Sequence, residues 1–261
     1  MSAAEQWAEA LAAWAIPKAV LDAAPESPWF HDAAAFAADE TVPHDSVSAK
    51  RAREALTLRG TVLDVGVGGG RSSLALRPEA THITGVDGAT HMLESFLRSA
   101  EAAGVDAIAV QGRWPDVAPQ VERADVVVSH HVLYNVSDLA PFLRALNDHA
   151  LRRLVVEITT VHPTSGMNDA WLHFHGLVRP SEPTWELAAE VCCELGFDVR
   201  TEVSPRHAYS TAAVDPVAQV PFVRRRLCLP VSREPEIAEW LAAHPIKNPR
   251  DVATLWWDGQ G

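Results

Sequence analysis

The chain alternates short apolar runs with longer stretches in which apolar residues recur at helical spacing. The short runs are rich in β-branched residues, which is typical of buried strands. The predicted strands cover residues 61–65, 82–87, 105–111, 124–129, 151–160, 197–203 and 252–257. Because the first five alternate with helices, the pattern predicts right-handed crossovers and an α/β fold with a doubly wound, mostly parallel sheet.

Helical patterns precede and interrupt this series. Residues 1–58 are predicted to form an N-terminal helical cap, in which Trp7, Leu11 and Trp14 recur at helical spacing. Residues 59–261 are predicted to form the main domain, with an insertion of two helices at about 214–246. The chain has 261 residues, of which 48% are hydrophobic. This length and composition support one large α/β domain with a small cap.

A glycine-rich turn follows the first predicted strand. Asp64 ends the strand, and Gly66, Gly68 and Gly70 follow at alternate positions. Glycine has no Cβ, so the backbone can turn sharply there and approach a ligand at the edge of a parallel sheet. Arg71 stands where the dinucleotide-binding fingerprint needs its third glycine, which argues against that fingerprint. A tight strand-to-helix turn without a ligand is the alternative interpretation.

The spacing of Asp64 and the three glycines resembles the first motif of class I S-adenosylmethionine-dependent methyltransferases. The segment DVVVSHHVLYNVSD, residues 125–138, resembles the fourth motif of the same family, and the similarity covers about residues 48–203. Pieces such as SPW, GRWPD and TLWWDG also resemble a group of actinobacterial methyltransferases. The resemblance implies a Rossmann-like, seven-stranded sheet with strand order 3-2-1-4-5-7-6. It also implies S-adenosyl-L-methionine as the cofactor and S-adenosyl-L-homocysteine as the product.

The second predicted strand ends in another acid. Asp87 lies 23 residues after Asp64, within one β-α-β unit of the glycine turn. A carboxylate there can accept hydrogen bonds from both hydroxyl groups of a ribose. The resemblance adds Gly88 to the cofactor contacts and places Met92 near the adenine. An ordinary helix cap is the alternative role for Asp87.

The segment after the third predicted strand departs from the family pattern. Many relatives carry an acid there that accepts from the adenine amino group, whereas this chain has Gly112, Arg113 and Trp114. We expect the adenine to contact the backbone amide of Arg113 and to stack on Trp114, with Asp116 as an acid further along. A core position for the Trp114 ring is an equal alternative.

The fourth predicted strand ends in Ser129, and His130 and His131 follow directly. The resemblance places Ser129 and His130 beside the cofactor, and either histidine is suited to general-base catalysis near neutral pH. Alternation along a strand predicts that one ring faces the crevice and the other the core. We expect His130 to face the crevice, with Tyr134 on the same side. Pocket residues that do not titrate are the alternative.

A second group of polar residues, Glu157, His162, His173 and His175, follows in and after the fifth strand. Three imidazoles and an acid could bind a metal. The divalent cations of known methyltransferases are hard ions that prefer oxygen ligands. We therefore predict no metal site and expect these residues to contact substrate or to pack the loop.

Composition and charge narrow the partners. The formal net charge is -12, so nucleic acid is a poor candidate substrate. The sequence contains no apolar run of about 18 residues, and its three cysteines do not form a disulfide framework. We expect a cytoplasmic enzyme, away from membranes, that methylates oxygen or nitrogen of a small molecule, with a homodimer as a further expectation. An NAD-dependent oxidoreductase and a non-catalytic cofactor-binding protein are the alternatives.

Overall fold

The computed structural model describes residues 1–29, 45–56, 59–205, 216–246 and 251–259. Within these ranges, seven strands form one sheet with the order β3-β2-β1-β4-β5-β7-β6, as predicted. The strands are β1 Gly60–Val65, β2 Ala80–Asp87, β3 Asp106–Gln111, β4 Ala124–His130, β5 Ala150–Thr159, β6 Arg200–Pro205 and β7 Asp251–Asp258. Strands β1 to β5 pair in parallel, and β7 is antiparallel to both β5 and β6.

Ten α-helices accompany the sheet in the described ranges. They are α1 Ala3–Ala12, α2 Lys18–Asp22, α3 Val47–Arg53, α4 Arg71–Leu74, α5 Thr90–Ala102, α6 Leu139–His149, α7 Asn168–His175, α8 Trp185–Glu194, α9 Pro216–Arg226 and α10 Glu234–Ala243. Helix α1 begins with a capping box, in which Ser2 and Glu5 satisfy each other's backbone amides. None of the helices in these ranges is long and apolar enough to span a bilayer.

The two faces of the sheet carry separate hydrophobic clusters, because alternate residues of a strand point to opposite faces. On β1, Leu63 and Val65 belong to the first cluster, whereas Val62 belongs to the second. Helices α1, α6 and α8 cover the first face, and helices α3 and α5 cover the second. The sheet is therefore enclosed on both faces, which leaves its edges and strand ends as the places where a ligand can approach.

A third hydrophobic cluster lies among helices that do not cover the sheet. Trp171 of α7, Leu227 after α9 and Leu241 of α10 are buried in it, and residues of α2 pack against it. We call this cluster the helical cap. Residues 1–58 were predicted to form one N-terminal cap, but their described helices lie in three different places. Helix α1 lies on the first face of the sheet, α2 in the helical cap and α3 on the second face.

Candidate active site

The glycine turn follows β1 and requires glycine at two positions at least. Gly66 and Gly70 have φ values of 79° and 87°, which residues with a Cβ seldom adopt. A Cβ at Gly66 would lie 2.2 Å from Cγ2 of Val132, and one at Gly70 would lie 2.7 Å from Cδ2 of Phe96. Gly68, with φ 52°, completes the turn. The glycines thus let the turn pack directly beneath the segment that follows β4.

Asp64 lies at the base of this turn and is fully buried. Its Oδ2 accepts hydrogen bonds of 2.7 Å from the hydroxyls of both Ser72 and Ser73, while Oδ1 has no hydrogen-bond partner among the described residues. Burial raises the pKa of Asp64, although the two serines act in the opposite direction. A buried carboxylate oxygen without a partner is costly, so this atom is suited to a donor from a ligand.

Asp87 ends β2 on the same side of the sheet. Its Oδ2 accepts from the amide of Gly68 at 3.1 Å, and its Oδ1 accepts from the amide of Ala89 at 2.9 Å. A carboxylate has about four acceptor positions, so each oxygen retains one for a ligand. A Cβ at the adjacent Gly88 would meet no atom within 4 Å, and Met92 is buried one turn into α5. The predicted ribose and adenine contacts are therefore brought to one edge.

The segment after β3 has a different character. The amide of Gly112 donates to the carbonyl of Asp87 at 3.0 Å, which joins this segment to the ribose-contact position. The ring of Trp114 is only 6% exposed, its Nε1 donates to the carbonyl of Phe142 at 3.4 Å, and it meets His149 edge-on. This placement favours the core role of Trp114 over adenine stacking. Arg113 and Asp116 are exposed. The adenine contacts expected from this segment stay a prediction.

Ser129 and His130 form the end of β4. Ser129 is fully buried, and its hydroxyl donates to the carbonyl of Val65 at 2.9 Å, so it ties β4 to β1. Only the backbone of Ser129 is left for a ligand. His130 pairs in register with Glu157 of β5, and its Nε2 is buried without a partner among the described residues. Burial lowers the pKa of His130, and the nearby charges of Glu157 and Asp64 oppose that effect.

His131 adopts a left-handed backbone conformation, with φ 59°. Its amide donates to the carbonyl of Glu157 at 2.7 Å, and its Nε2 lies 3.1 Å from Oε1 of Glu157. Adjacent strand residues point to opposite faces only while the strand continues, and β4 ends at His130. Both imidazoles therefore lie near Glu157, and which of them faces the crevice stays a prediction.

Glu157 is the site residue whose role the sequence did not reveal. It is only 6% exposed within β5, and the hydroxyl of Ser48 in α3 donates to its Oε2 at 2.6 Å. Burial alone would raise the pKa of Glu157, but His131, His130 and Ser48 outweigh burial and lower it. The available signal was an acid inside an otherwise apolar strand. Nothing in the sequence indicated its partners.

The other proposed metal ligands lie apart from Glu157. The ring of His162 stacks on Trp14 with centroids 3.8 Å apart, and burial, with a smaller effect of Arg179, lowers the pKa of His162 to about 4. His173 stacks near Trp240, and Nε2 of His175 lies 2.7 Å from the carbonyl of Leu227. No group of three metal-ligating side chains occurs among the described residues. His173 and His175 therefore pack within the helical cap, whereas His162 packs against Trp14.

Tyr134 belongs to the same packing layer. Its ring stacks on Trp7 with centroids 5.5 Å apart and meets His162 edge-on. Its hydroxyl donates to the carbonyl of Thr159 at 3.0 Å, and burial raises its pKa. Tyr134 is 5% exposed. It thus supports the wall between helix α1 and the ends of β4 and β5.

Comparison with known proteins agrees with this geometry. Residues 62–152 match the family model described as a methyltransferase domain. Residues 62–152 thus form a methyltransferase domain. The strand order of the complete sheet is that of the Rossmann-like methyltransferase fold. The matched residues run from β1 into β5 and include the glycine turn, Asp87 and both histidines of the site.

Individual relatives of this methyltransferase are distant. A ubiquinone biosynthesis O-methyltransferase from Azorhizobium caulinodans is 31% identical over 129 residues, which cover 49% of this chain and 50% of that protein. The chain thus aligns with about half the length of this curated relative. The YcgJ protein from Bacillus subtilis has a TM-score of 0.54 at 16% identity, over 82% of this chain and 98% of that one.

A third relative was solved with a ligand. Magnesium protoporphyrin IX methyltransferase from Synechocystis PCC 6803, with bound S-adenosylhomocysteine, has a TM-score of 0.50 at 17% identity. The match covers 81% of this chain and 80% of that chain. At such identities, the likeness to both solved structures concerns the fold.

Proposed function

We propose that this methyltransferase transfers the methyl group of S-adenosylmethionine to oxygen or nitrogen of a small-molecule acceptor. The observation that carries the proposal is the pair of carboxylates at the ends of β1 and β2, on either side of the glycine turn. Asp64 offers a buried Oδ1 without a partner among the described residues, and Asp87 offers both oxygens beside open space at Gly88.

The described residues fit this cofactor in three respects. An ammonium group can donate to the free oxygen of Asp64, which would relieve a buried atom that lacks a partner. The ribose hydroxyls can donate to Asp87, and Met92 supplies an apolar surface next to it. The bound cofactor supplies an electrophilic methyl group. The protein then has to orient the acceptor, exclude water and remove a proton.

The acceptor is assigned by class. A formal net charge of -12 disfavours a nucleic acid. The partial similarity to a protein named as a ubiquinone biosynthesis O-methyltransferase supports oxygen as the first acceptor atom to test. An imidazole beside a buried carboxylate at the end of β4 supports a mechanism with a general base, which hydroxyl acceptors need most. The oxidoreductase alternative is not favoured, because the family match concerns methyltransferases.

Calorimetric titration separates these functions. We expect S-adenosylmethionine and S-adenosylhomocysteine to release heat on binding and NAD to release none. Absence of heat with both sulfur compounds, from protein shown to be folded by circular dichroism, would contradict the proposal. Formation of S-adenosylhomocysteine with a panel of small phenols and amines then tests the non-catalytic alternative, which predicts binding without turnover.

A further inference from the structure

The strongest unexplained feature outside the cofactor contacts is the buried carboxylate of Glu157. Its neighbours along β5, Val155, Val156 and Ile158, are fully buried apolar residues. Burying a carboxylate costs several kcal/mol unless it is paired, and an apolar side chain is often as stable at such a position. No lysine or arginine pairs with Glu157 in the described ranges, and its contacts are the hydroxyl of Ser48 and the imidazole of His131.

We propose that His131 is the general base of the methyl transfer and that Glu157 and Ser48 are its positioning residues. The proposal rests on the proposed function and adds to it the identity of the base. It differs from the expectation drawn from the sequence, which favoured His130. The three residues come from three separate elements: the end of β4, β5 and helix α3.

The geometry divides the two oxygens of Glu157 between two partners. Oε2 accepts from Ser48 at 2.6 Å, and Oε1 lies 3.1 Å from Nε2 of His131. The backbone amide of His131 also donates to the carbonyl of Glu157, so the same residue anchors both ends of the histidine. His131 is held at φ 59°, a left-handed conformation that is unfavourable for a residue with a Cβ. Such conformations occur preferentially at functional sites.

A carboxylate next to one ring nitrogen favours the tautomer in which that nitrogen carries the proton. For His131 the proton then resides on Nε2, and Nδ1 keeps the lone pair. As the acceptor oxygen or nitrogen bonds to the methyl carbon, its proton passes to Nδ1, and the broken carbon–sulfur bond leaves its electron pair on sulfur. The imidazolium formed is stabilised by Glu157, whose pKa is already low.

His130 is less suited to this role. Among the described residues, Glu157 forms an ion pair with His131 and none with His130, and burial lowers the pKa of His130. The side chain of His131 is 29% exposed, whereas that of Glu157 is only 8% exposed. A histidine that acts as a general base has to be accessible to the acceptor, and a buried carboxylate next to its ring can hold it in the right orientation.

The tautomer of His131 can be measured without an acceptor. Long-range nitrogen–proton NMR correlations of the histidine side chains, with His131→Gln to assign the signal, should show the proton on Nε2 in the wild type. Glu157→Gln should give a mixture of tautomers, because the amide can donate as well as accept. His175, whose Nε2 lies 2.7 Å from a carbonyl oxygen, serves as an internal control that should not change.

Ser48 is tested by conservative replacement. Ser48→Ala should shift the His131 signals part of the way towards those of Glu157→Gln, and Ser48→Thr, which keeps the hydroxyl, should restore them. Ser99→Ala is the matched control, because its hydroxyl only donates to the carbonyl of Ser95 within helix α5. If Ser48 merely stabilised the fold, Ser48→Ala would lower the stability of the protein without shifting the His131 signals towards those of Glu157→Gln.

Reactivity distinguishes the two histidines directly. Diethyl pyrocarbonate acylates a free imidazole nitrogen, and fragmentation mass spectrometry can assign it to His130 or His131. We expect His131 to react at least about tenfold faster, given its exposed ring and free Nδ1. Faster reaction at His130, or a wild-type His131 with its proton on Nδ1, overturns the proposal.

Binding of S-adenosylhomocysteine separates this proposal from the proposed function. The affinity should stay within a few-fold in His131→Gln, Glu157→Gln and Ser48→Ala, because none of these residues is a cofactor contact. If wild-type protein does not bind S-adenosylhomocysteine, the proposed function fails. If it binds and the tautomer and reactivity results are reversed, only the assignment of the base fails.

Discussion

The proposed cofactor half and the proposed acceptor half of the crevice are built in different ways. The cofactor half is nearly continuous in sequence, since Asp64, the glycine turn, Asp87 and Met92 all lie within residues 64–92. The acceptor half joins Ser48 of α3, His131 directly after β4 and Glu157 of β5. Ser48 and Glu157 are 109 residues apart in the chain.

This difference has consequences for how each half responds to change. The first half depends on backbone conformations that only glycine adopts easily and on hydrogen bonds between near neighbours. The second depends on the packing of the sheet against α3. Changes in the first half should therefore alter the turn and cofactor affinity. Changes in the second should alter proton transfer or stability and leave cofactor affinity intact.

The largest expected effect is at the glycine turn. Gly66→Ala should lower the free energy of unfolding by roughly 2–5 kcal/mol, from left-handed strain of about 1–2 and overpacking of about 1–3. The steric part arises because the new Cβ would lie 2.2 Å from Cγ2 of Val132. Gly104→Ala is the matched control, with φ 67° and no atom within 4 Å. Urea denaturation measures both.

Two outcomes refine this test. If the new Cβ clashes with Val132, the double variant Gly66→Ala, Val132→Ala should lose less unfolding free energy than the sum of the losses in the two single variants. Equal losses in Gly66→Ala and Gly104→Ala would contradict the close packing of the turn beneath Val132.

Asp87 tests the cofactor half itself. Asp87→Ala should weaken S-adenosylhomocysteine binding by roughly 2–4 kcal/mol, since hydrogen bonds to a charged group contribute about 1.5–3 kcal/mol each and do not add fully. Isothermal titration of wild type and variant gives the difference. Glu122→Gln removes an exposed carboxylate elsewhere and should leave the affinity unchanged. Full affinity in Asp87→Ala would move the ribose to another residue.

His162 tests the aromatic packing around Trp14 and Tyr134 through pH. Its pKa falls from 6.5 to about 4 on folding, so the unfolded state binds more protons between these values. The stability contribution is complete above about pH 6.5 and is lost as the pH falls towards 4. The loss by pH 4.5 should be roughly 2–3 kcal/mol, at 1.36 kcal/mol per pKa unit.

His162→Phe is the variant for this measurement, because phenylalanine can stack on Trp14 and does not titrate. The stability of the wild type relative to His162→Phe should therefore decrease between pH 7.5 and 4.5. A constant difference over that range would show that the folded protein accommodates the imidazolium.

The smallest effect concerns the attachment of the N-terminal segment to the helical cap. Arg224 is buried, and it forms ion pairs of 2.5 Å with Glu26 and 2.9 Å with Glu234. Glu26→Gln should lower the Tm by about 1–3 °C and leave S-adenosylhomocysteine affinity unchanged. Asp22→Asn, which breaks the exposed pair with Lys18, should change the Tm by less than about 0.5 °C. Equal shifts in both variants would argue against a role for Arg224 in holding the segment.

Much of the fold could be predicted because its signals are local. Most strands of the sheet are apolar runs that can be recognised by themselves, although β6 is mainly polar and exposed. Alternation with helices then restricts the topology. The two helices of the insertion were also expected, and they lie at Pro216–Arg226 and Glu234–Ala243.

The sequence by itself determined the sheet and the outline of the cofactor half, because strand periodicity and a glycine turn act over a few residues. Tertiary structure decided three other features. It placed the Trp114 ring in the core, it ended β4 at His130 so that both histidines lie beside Glu157, and it brought Ser48 to the same carboxylate. These features depend on which distant elements pack together, and a single sequence carries no local pattern that encodes such contacts.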